Sequence, residues 1–339
     1  MAVSIKDIAR LAGVSHSTVS RALHNSPLIS AHTAERIQRI AKECGYSASA
    51  VARSLVTRKT YAIGVVVTSI SDPFNGEVVG GIEEIANRAG FSIILATSQA
   101  DPEREMTVVR SFQERRVDGI LVASSRVGAL YVPLLSEFGI PIVLLNNQHP
   151  SEFVYSVTVD NVDGALSATR HLIALGHKRI AYIGDRLGLQ SDRERYEGYT
   201  AALGEANLPV RPEFVIQGDG KPPGARDAAR ELLALPEPPT AIFCYNDMSA
   251  LGVLEHASER GLQVPRDLSI VGFDDLFFTP FLQPPLTSVR QPKRELGRRA
   301  MELLLMLLTG GSPEKSLELE GELIVRGSTA PPYNGNLPA

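Results

Sequence analysis

The sequence has only two cysteines and no long apolar run, and each shortage excludes a class of protein. Cys44 and Cys244 lie far apart in apolar contexts, which favours two buried thiols in a reducing compartment over a disulfide framework. The best candidate for a membrane span, MELLLMLL at 301–308, is far shorter than the ~18 residues that cross a bilayer. The N-terminus also lacks the apolar core of a signal peptide. We therefore expect a cytoplasmic protein without a membrane segment.

Catalytic and metal-binding motifs are missing as well. The chain has no G-x-G-x-x-G turn after its first strand, no P-loop, no G-x-S-x-G elbow and no H-E-x-x-H helix. Its seven histidines are scattered, and we expect His171 and His177 to cap a helix or lie on the surface rather than bind a metal. The sequence thus predicts no enzyme, no cofactor and no metal site.

Charge is distributed unevenly along the 339 residues. The first sixty contain nine basic and three acidic side chains, whereas the rest of the chain contains 25 basic and 35 acidic ones. A basic N-terminal module on an acidic body favours an anionic partner for that module, although a merely solvated basic surface would have the same composition.

Three short helices are predicted in the basic module. A capping box at Ser4 begins the first helix, and Gly13 ends it. Ser15 caps a second helix over 16–23, and a third runs from about residue 31 to 44. A helix, a glycine-containing turn and a second helix form a helix-turn-helix, whose second helix enters the major groove of DNA. A three-helix packing module is the alternative, but it leaves the charge unexplained.

The second helix has one apolar and one polar side. Val19, Ala22 and Leu23 have the spacing that buries one face of a helix. The opposite face carries short hydroxyls, which let a backbone approach a duplex, and one arginine that can contact a guanine or a phosphate. The candidate DNA-binding residues of this helix and its cap are Ser15, His16, Ser17, Thr18, Ser20 and Arg21.

Residues 47–60 connect the module to the body. A helix here would be too short to be stable alone, so a flexible linker and an externally supported hinge helix are both open. Leu55 is the kind of apolar side chain that enters a minor groove and unstacks a base step, and Arg53 is its basic neighbour.

From Tyr61 onward, apolar strands alternate with amphipathic helices, which predicts parallel sheets covered on both faces. One set of strands ends near Asn146 and another begins near Val157, so we expect two doubly wound lobes. Ligands bind beyond the carboxyl ends of the strands in such folds, and convergent polar groups there indicate a pocket for a small polar molecule. The candidate ligand-binding residues are Asp72, Phe74, Asn146, Ser191, Arg195, Asn246, Asp274 and Gln291, with helix capping as the alternative role of Asn246.

Long motifs in both parts of the chain resemble one family. SIKDIARLAGVSHSTVSRALHN near the N-terminus and LSIVGFDDLFFTPFLQPPLTSVRQP in the body are similar to segments of the LacI/GalR repressors, and the resemblance extends to about Thr329. It implies a small all-α helix-turn-helix head and an α/β body like that of periplasmic binding proteins. A solute-binding protein would need a signal peptide and would lack the head, so that alternative is disfavoured.

The resemblance implies domain bounds and residue roles. The expected domains are a head at 1–46, a hinge helix or linker at 47–60, a body at 61–329 and a flexible tail at 330–339. The N-lobe would comprise about 61–159 and 291–320, and the C-lobe about 160–290 and 321–329.

The base-reading positions of the family correspond here to His16, Ser17 and Arg21. The leucine that relatives insert at the centre of the operator corresponds to Leu55. Effector-contacting positions correspond to Asn146, Arg195, Asn246, Asp274 and Gln291, with Asp72 and Phe74 on the opposite side.

One position departs from the family pattern. Where relatives often place an aromatic ring over the ligand, this chain has Gly220, in QGDGKPPG. The missing ring disfavours a flat purine-like effector, although Phe74 and Phe277 remain as platforms on which a ring could stack.

The resemblance as a whole leads us to expect a transcriptional regulator, and specifically a repressor, that reads a palindromic DNA operator as a homodimer. Its expected effector is a sugar or sugar derivative, with a purine or nucleoside as the alternative.

Overall fold

The computed structural model of the protein describes residues 3–23, 26–46, 59–125, 139–146 and 155–333. The chain divides into two compact units, Met1–Thr60 and Tyr61–Ala339, and each is described by itself. Arg53 and Leu55 lie outside the described residues, so their roles stay predictions. No helix in the described ranges is long and apolar enough to cross a membrane.

The first unit is a three-helix head. Its described helices are α1 (Ile5–Ala12), α2 (His16–Leu23) and α3 (Ala31–Glu43). The predicted capping box is present, with hydrogen bonds in both directions between Ser4 and Asp7, and Gly13 ends α1 at a left-handed φ of 64°. The core contains Ile8, Val19 and Ile37, one from each helix.

Polar side chains of α3 fasten the other two helices. The guanidinium of Arg36 donates to the Ala12 carbonyl at 2.9 Å, and the amide of Gln38 donates to the Ala22 carbonyl at 3.1 Å. These bonds satisfy carbonyls near the ends of α1 and α2, which a helix leaves unpaired. Cys44 is a free thiol at the end of α3 and is only half-buried, so the prediction of two buried thiols is correct for Cys244 and wrong for Cys44.

The second unit contains two α/β lobes. The described strands of the N-lobe sheet are β1 (Ala62–Val67), β2 (Ser92–Thr97), β3 (Gly119–Ala123), β4 (Ile142–Leu145), β5 (Tyr155–Val159) and β11 (Ser316–Leu319), all parallel, in the order β11-β5-β4-β3-β1-β2. Its described helices are α4 (Pro73–Arg88), α5 (Pro102–Glu114) and α10 (Lys293–Leu308).

The C-lobe repeats this arrangement. Its described strands are β6 (Ile180–Asp185), β7 (Val215–Gly218), β8 (Ala241–Cys244), β9 (Ser269–Asp274), β10 (Thr287–Arg290) and β12 (Glu322–Ile324), in the order β12-β10-β9-β8-β6-β7. Its helices are α6 (Asn161–Ala174), α7 (Gln190–Glu205), α8 (Pro222–Leu233) and α9 (Asp247–Glu259). The predicted fold class is confirmed, with one addition: β12 pairs antiparallel with β10 at the edge of the otherwise parallel sheet.

Helix α10 lies directly on α4 because two glycines remove the side chains between them. A Cβ at Gly81 would collide with the backbone carbonyl of Arg294, and one at Gly297 would collide with that of Val78. Beside this contact, Arg298 forms two hydrogen bonds with one carboxylate oxygen of Glu84, at 2.7 and 3.0 Å. Chain entering α10 from the C-lobe is therefore held tightly against the N-lobe.

The end of the described chain packs on the C-lobe. His177 is buried and hydrogen-bonds to Thr240, Ser269 and the Ala330 carbonyl, at 2.9, 3.0 and 2.9 Å. The prediction that His177 is a capping or surface residue is wrong, because the strand edge and the chain end cover it. The prediction of a flexible tail from residue 330 is also wrong for Ala330, whose amide donates to Ser269 at 3.1 Å.

Candidate functional site

The first turn of α2 displays a cluster of hydroxyl groups. The Ser15 hydroxyl accepts from the Thr18 amide at 3.1 Å and contacts the hydroxyls of Ser17 and Thr18 at 2.7 and 2.8 Å. His16, Ser17 and Arg21 are exposed, whereas the other face of the helix is buried in the head. The polar face is therefore free of the head's core and available to a partner.

The second candidate site lies at the carboxyl edge of the C-lobe sheet. Strands β10, β9, β8, β6 and β7 are consecutive neighbours, so the residues at or just beyond their carboxyl ends lie side by side. In that order, these residues are Gln291, Asp274, Asn246, Asp185 and Gly220. Ser191 and Arg195 join them from the first turns of α7. The predicted C-lobe residues are thus brought together at one edge.

Arg195 is the buried cation at this edge. Its Nε donates to Asn161 at 3.0 Å, and its Nη1 donates to the Tyr245 carbonyl at 2.6 Å. The same Nη1 lies 3.9 Å from Oδ1 of Asp274, with both side chains nearly inaccessible at 5% and 8% exposure. The guanidinium carbon lies 3.7 Å from the centre of the Phe273 ring and 4.7 Å from that of Tyr245. This packing fixes Arg195 in one orientation.

Asp274 is a buried carboxyl on a strained turn. Its backbone φ is 110° and that of Asp275 is 50°, values that residues other than glycine rarely adopt. Oδ1 of Asp274 accepts from Nε2 of Gln291 at 2.6 Å. Burial raises the pKa of Asp274 to about 7, against the opposing effect of the Arg195 cation, and the Asp72 carboxylate raises it further.

Lys293, the first residue of α10, holds this turn. Its buried ammonium donates to the Asp274 carbonyl at 2.6 Å and to the Asp275 carbonyl at 2.9 Å. It also lies 3.5 Å from a carboxylate oxygen of Glu77 on α4. One side chain therefore links the strained turn of the C-lobe to a helix of the N-lobe.

Asp72, Phe74 and Asn146 approach from the N-lobe. Asp72 caps α4 and accepts from the Phe74 amide at 3.0 Å, and burial raises the pKa of Asp72. The Asp72 carboxylate also raises the pKa of Asp274, so the two groups interact electrostatically. Asn146 follows β4 at a left-handed φ of 49°, and its backbone N–H donates to the Val157 carbonyl.

Two of the predicted residues have structural duties. Asn246 caps α9 by accepting from the Ser249 amide at 2.8 Å, and its Nδ2 donates to the Gly220 carbonyl at 3.1 Å. The Ser191 hydroxyl contacts that of Tyr245 at 3.0 Å. Both side chains thus shape the edge of the site through contacts with the protein.

Three residues at the site were missed from the sequence. Asp185 is the last residue of β6, as Asp274 is of β9, so the rule that found Asp274 could also have found it. Tyr245 contributes through its carbonyl and ring, and Lys293 acts across the junction between lobes. Neither of these roles has a local sequence signal.

Comparisons with known proteins match both units. Residues 4–49 match the family described as bacterial regulatory proteins, lacI family, and residues 169–329 match a periplasmic binding protein-like domain. The HTH-type transcriptional repressor PurR of Haemophilus influenzae (strain PittEE) is 38% identical over 330 residues, covering 96% of this chain and 98% of the relative.

Solved structures agree with this match. A lac repressor dimer bound to operator and the anti-inducer ONPF has a TM-score of 0.89 at 28% identity, covering 97% of this chain and all of that one. A complex of the transcriptional regulator CelR with cellobiose has a TM-score of 0.74 at 32% identity, covering 96% and 99%. The chain therefore belongs to the LacI family of bacterial regulatory proteins and is a DNA-binding transcriptional regulator.

Proposed function

We propose that the protein is a cytoplasmic repressor that binds a palindromic operator as a homodimer and responds to a small polar effector. The observation that supports operator recognition is the exposed polar face of α2, with His16, Ser17 and Arg21 on a head matched to the family. Twofold dimers of helix-turn-helix proteins read paired half-sites. Residues 47–60 act as the hinge that carries the effector's influence to the head.

The effector is a sugar or sugar derivative. Gly220 supports this assignment, because its position carries no ring to stack on a flat base, while Arg195 and Asp274 supply donors and acceptors suited to vicinal hydroxyls. The related CelR structure contains cellobiose. A purine effector is the second candidate, favoured by the identity to proteins named PurR.

A thermal-shift screen of the full-length protein distinguishes the two effectors. A ligand at 100 times its dissociation constant adds about 2.7 kcal/mol to the unfolding free energy, which gives a clear shift in Tm. We expect stabilisation by free sugars and none by adenine, guanine or hypoxanthine. Stabilisation by a purine base alone would assign the protein to the second candidate.

Replacing Arg21 with alanine should relax operator specificity at one base pair. Loss of a bidentate contact to a guanine removes about 1–3 kcal/mol of discrimination at that position. The measurement is a selection from random DNA, followed by titration of every single-base variant of the selected site. Arg39→Ala, which removes an exposed arginine of α3, is the matched control and should keep the base preferences. Unchanged preferences in Arg21→Ala would contradict the assignment of α2 to base reading.

Effector affinity should fall as the pH decreases through 7. The charged groups that face Asp274 are Arg195, Asp72, Lys293 and Asp247, and its pKa is about 7. Only the ionised carboxylate accepts hydrogen bonds on both oxygens. At one pH unit below the pKa, Asp274 is ionised in about a tenth of the molecules. Binding should thus be about tenfold weaker at pH 6 than at pH 8. Calorimetric titration checks this. Asp274→Asn should bind weakly with a flat pH profile, and a flat profile in the wild type would refute the role of Asp274.

A further inference from the structure

The effector site contains several hydrogen-bond acceptors that have no partner among the described residues. Oε1 of Gln291 is fully buried and has no partner among the described residues. Only Oδ1 of Asp72, Asp185 and Asp274 accepts a hydrogen bond from another described residue, which leaves each Oδ2 open. A molecule that binds here must therefore supply donors.

Asp185 places one of these oxygens beside Gly220. Asp185 is buried at the end of β6, and its Oδ1 accepts from the Leu187 amide at 2.9 Å. A Cβ added to Gly220 would lie 3.4 Å from Oδ2 of Asp185, 3.6 Å from Nδ2 of Asn246 and 3.6 Å from the Tyr245 ring. Gly220 thus leaves a position without a side chain, and Oδ2 of Asp185 faces it.

Carboxyl groups outnumber the cations around the site. Asp185 and Asp274 at this edge, and Asp72 from the N-lobe, supply three carboxyl groups, each of which repels an anion when it is ionised. The two cations are the Arg195 guanidinium, 3.9 Å from Oδ1 of Asp274, and the Lys293 ammonium, which donates to two backbone carbonyls. A phosphate would meet repulsion here, whereas a hydroxyl would donate to a waiting oxygen.

We infer that Asp185 is a specificity-determining residue of the effector site. Its Oδ2 accepts a hydrogen bond from a hydroxyl of an uncharged sugar that occupies the position above Gly220, and the site rejects the phosphorylated form of that sugar. This inference rests on the proposed function and adds a residue and a charge preference to it.

Calorimetric titration of the full-length protein tests both parts. The probes are cellobiose, D-ribose and D-xylulose, together with ribose 5-phosphate and xylulose 5-phosphate. We expect at least one free sugar to bind and its phosphate to bind at least 50-fold more weakly. Asp185→Asn keeps the acceptor for the Leu187 amide and should fold, yet bind that sugar at least tenfold more weakly. Asp227→Asn, which changes a carboxylate with 65% exposure on α8, is the matched control and should bind normally.

A second variant tests whether sugar binding needs the empty space at Gly220, separately from the charge of Asp185. Asparagine tolerates left-handed backbone better than most residues, so Gly220→Asn should fold at its φ of 67° and fill the position. We expect at least a tenfold loss of sugar affinity. Gly261→Asn is the matched control, because Gly261 has a φ of 69° and nothing within 4 Å of an added Cβ.

The outcomes separate this inference from the proposed function. Normal sugar binding by both Asp185→Asn and Gly220→Asn would overturn the role of Asp185 and leave the sugar effector standing. A sugar phosphate that binds as tightly as its free sugar would overturn the charge preference. Binding of adenine or guanine, with no free sugar bound by the wild type, would overturn the proposed effector itself.

Discussion

Arg195→Ala is expected to remove both effector binding and a large part of the stability of the body. The substitution removes the donor to the Tyr245 carbonyl and the Asn161 amide oxygen, and it removes the cation that lies 3.9 Å from the Asp274 carboxyl. Removing one partner of a buried charge pair typically costs about 3–5 kcal/mol. Urea unfolding measures this loss, and calorimetry with a bound sugar should show at least a 100-fold lower affinity.

Two further variants define the role of the guanidinium. Arg195→Lys keeps the charge but cannot span Asn161 and the Tyr245 carbonyl together, so it should recover only part of the loss. Arg170→Ala removes an arginine from an ion pair with Glu205, in which the side chains are 52% and 49% exposed. Exposed ion pairs contribute little to stability, so this control should unfold almost like the wild type. Equal losses in Arg195→Ala and Arg170→Ala would show that burial of Arg195 contributes nothing.

Lys293→Met is expected to uncouple the effector from the operator. Methionine fills the same path but removes the donor to the Asp274 and Asp275 carbonyls. A hydrogen bond to a charged group contributes about 1.5–3 kcal/mol, so the loss of two should lower the unfolding free energy by about 3–6 kcal/mol. Because the strained turn loses the two hydrogen bonds from Lys293, the change in operator affinity on sugar binding should become smaller.

Operator titrations with and without a bound sugar measure this coupling. Lys178→Met changes an exposed lysine of the C-lobe and should retain both the stability and the response. A Lys293→Met variant with wild-type stability and a full response would contradict the assigned role of the ammonium.

Features with local causes could be predicted from the sequence. The caps at Ser4 and Gly13 depend on neighbouring residues, and the buried strands β1 and β9 are continuous apolar runs, so pattern alone located them. The edge strands β11 and β12 mix charged and apolar residues over three or four positions and have no comparable signal.

The site divides in the same way. Asp274 ends β9 and Gln291 directly follows β10, so topology predicted their position. Lys293 contacts a turn that lies 18 or 19 residues earlier and a helix of the other lobe, and only the folded crossover brings them together. Asn246 fitted the pattern of a ligand residue, yet helix capping occupies its oxygen. Sequence pattern predicts where polar groups gather but not which partner each one takes.

The packing of the chain end has a practical consequence. His177 and Thr240 precede β6 and β8, and Ser269 is the first residue of β9, so the contacts of Ala330 lie at the amino ends of the strands. The ring of Tyr333 rests 4.7 Å from the guanidinium of Arg266, near the same end. The effector site lies at the carboxyl ends of these strands. A dye or a surface tether attached at Tyr333 would therefore hold the body by the end remote from the ligand and leave its entrance unobstructed.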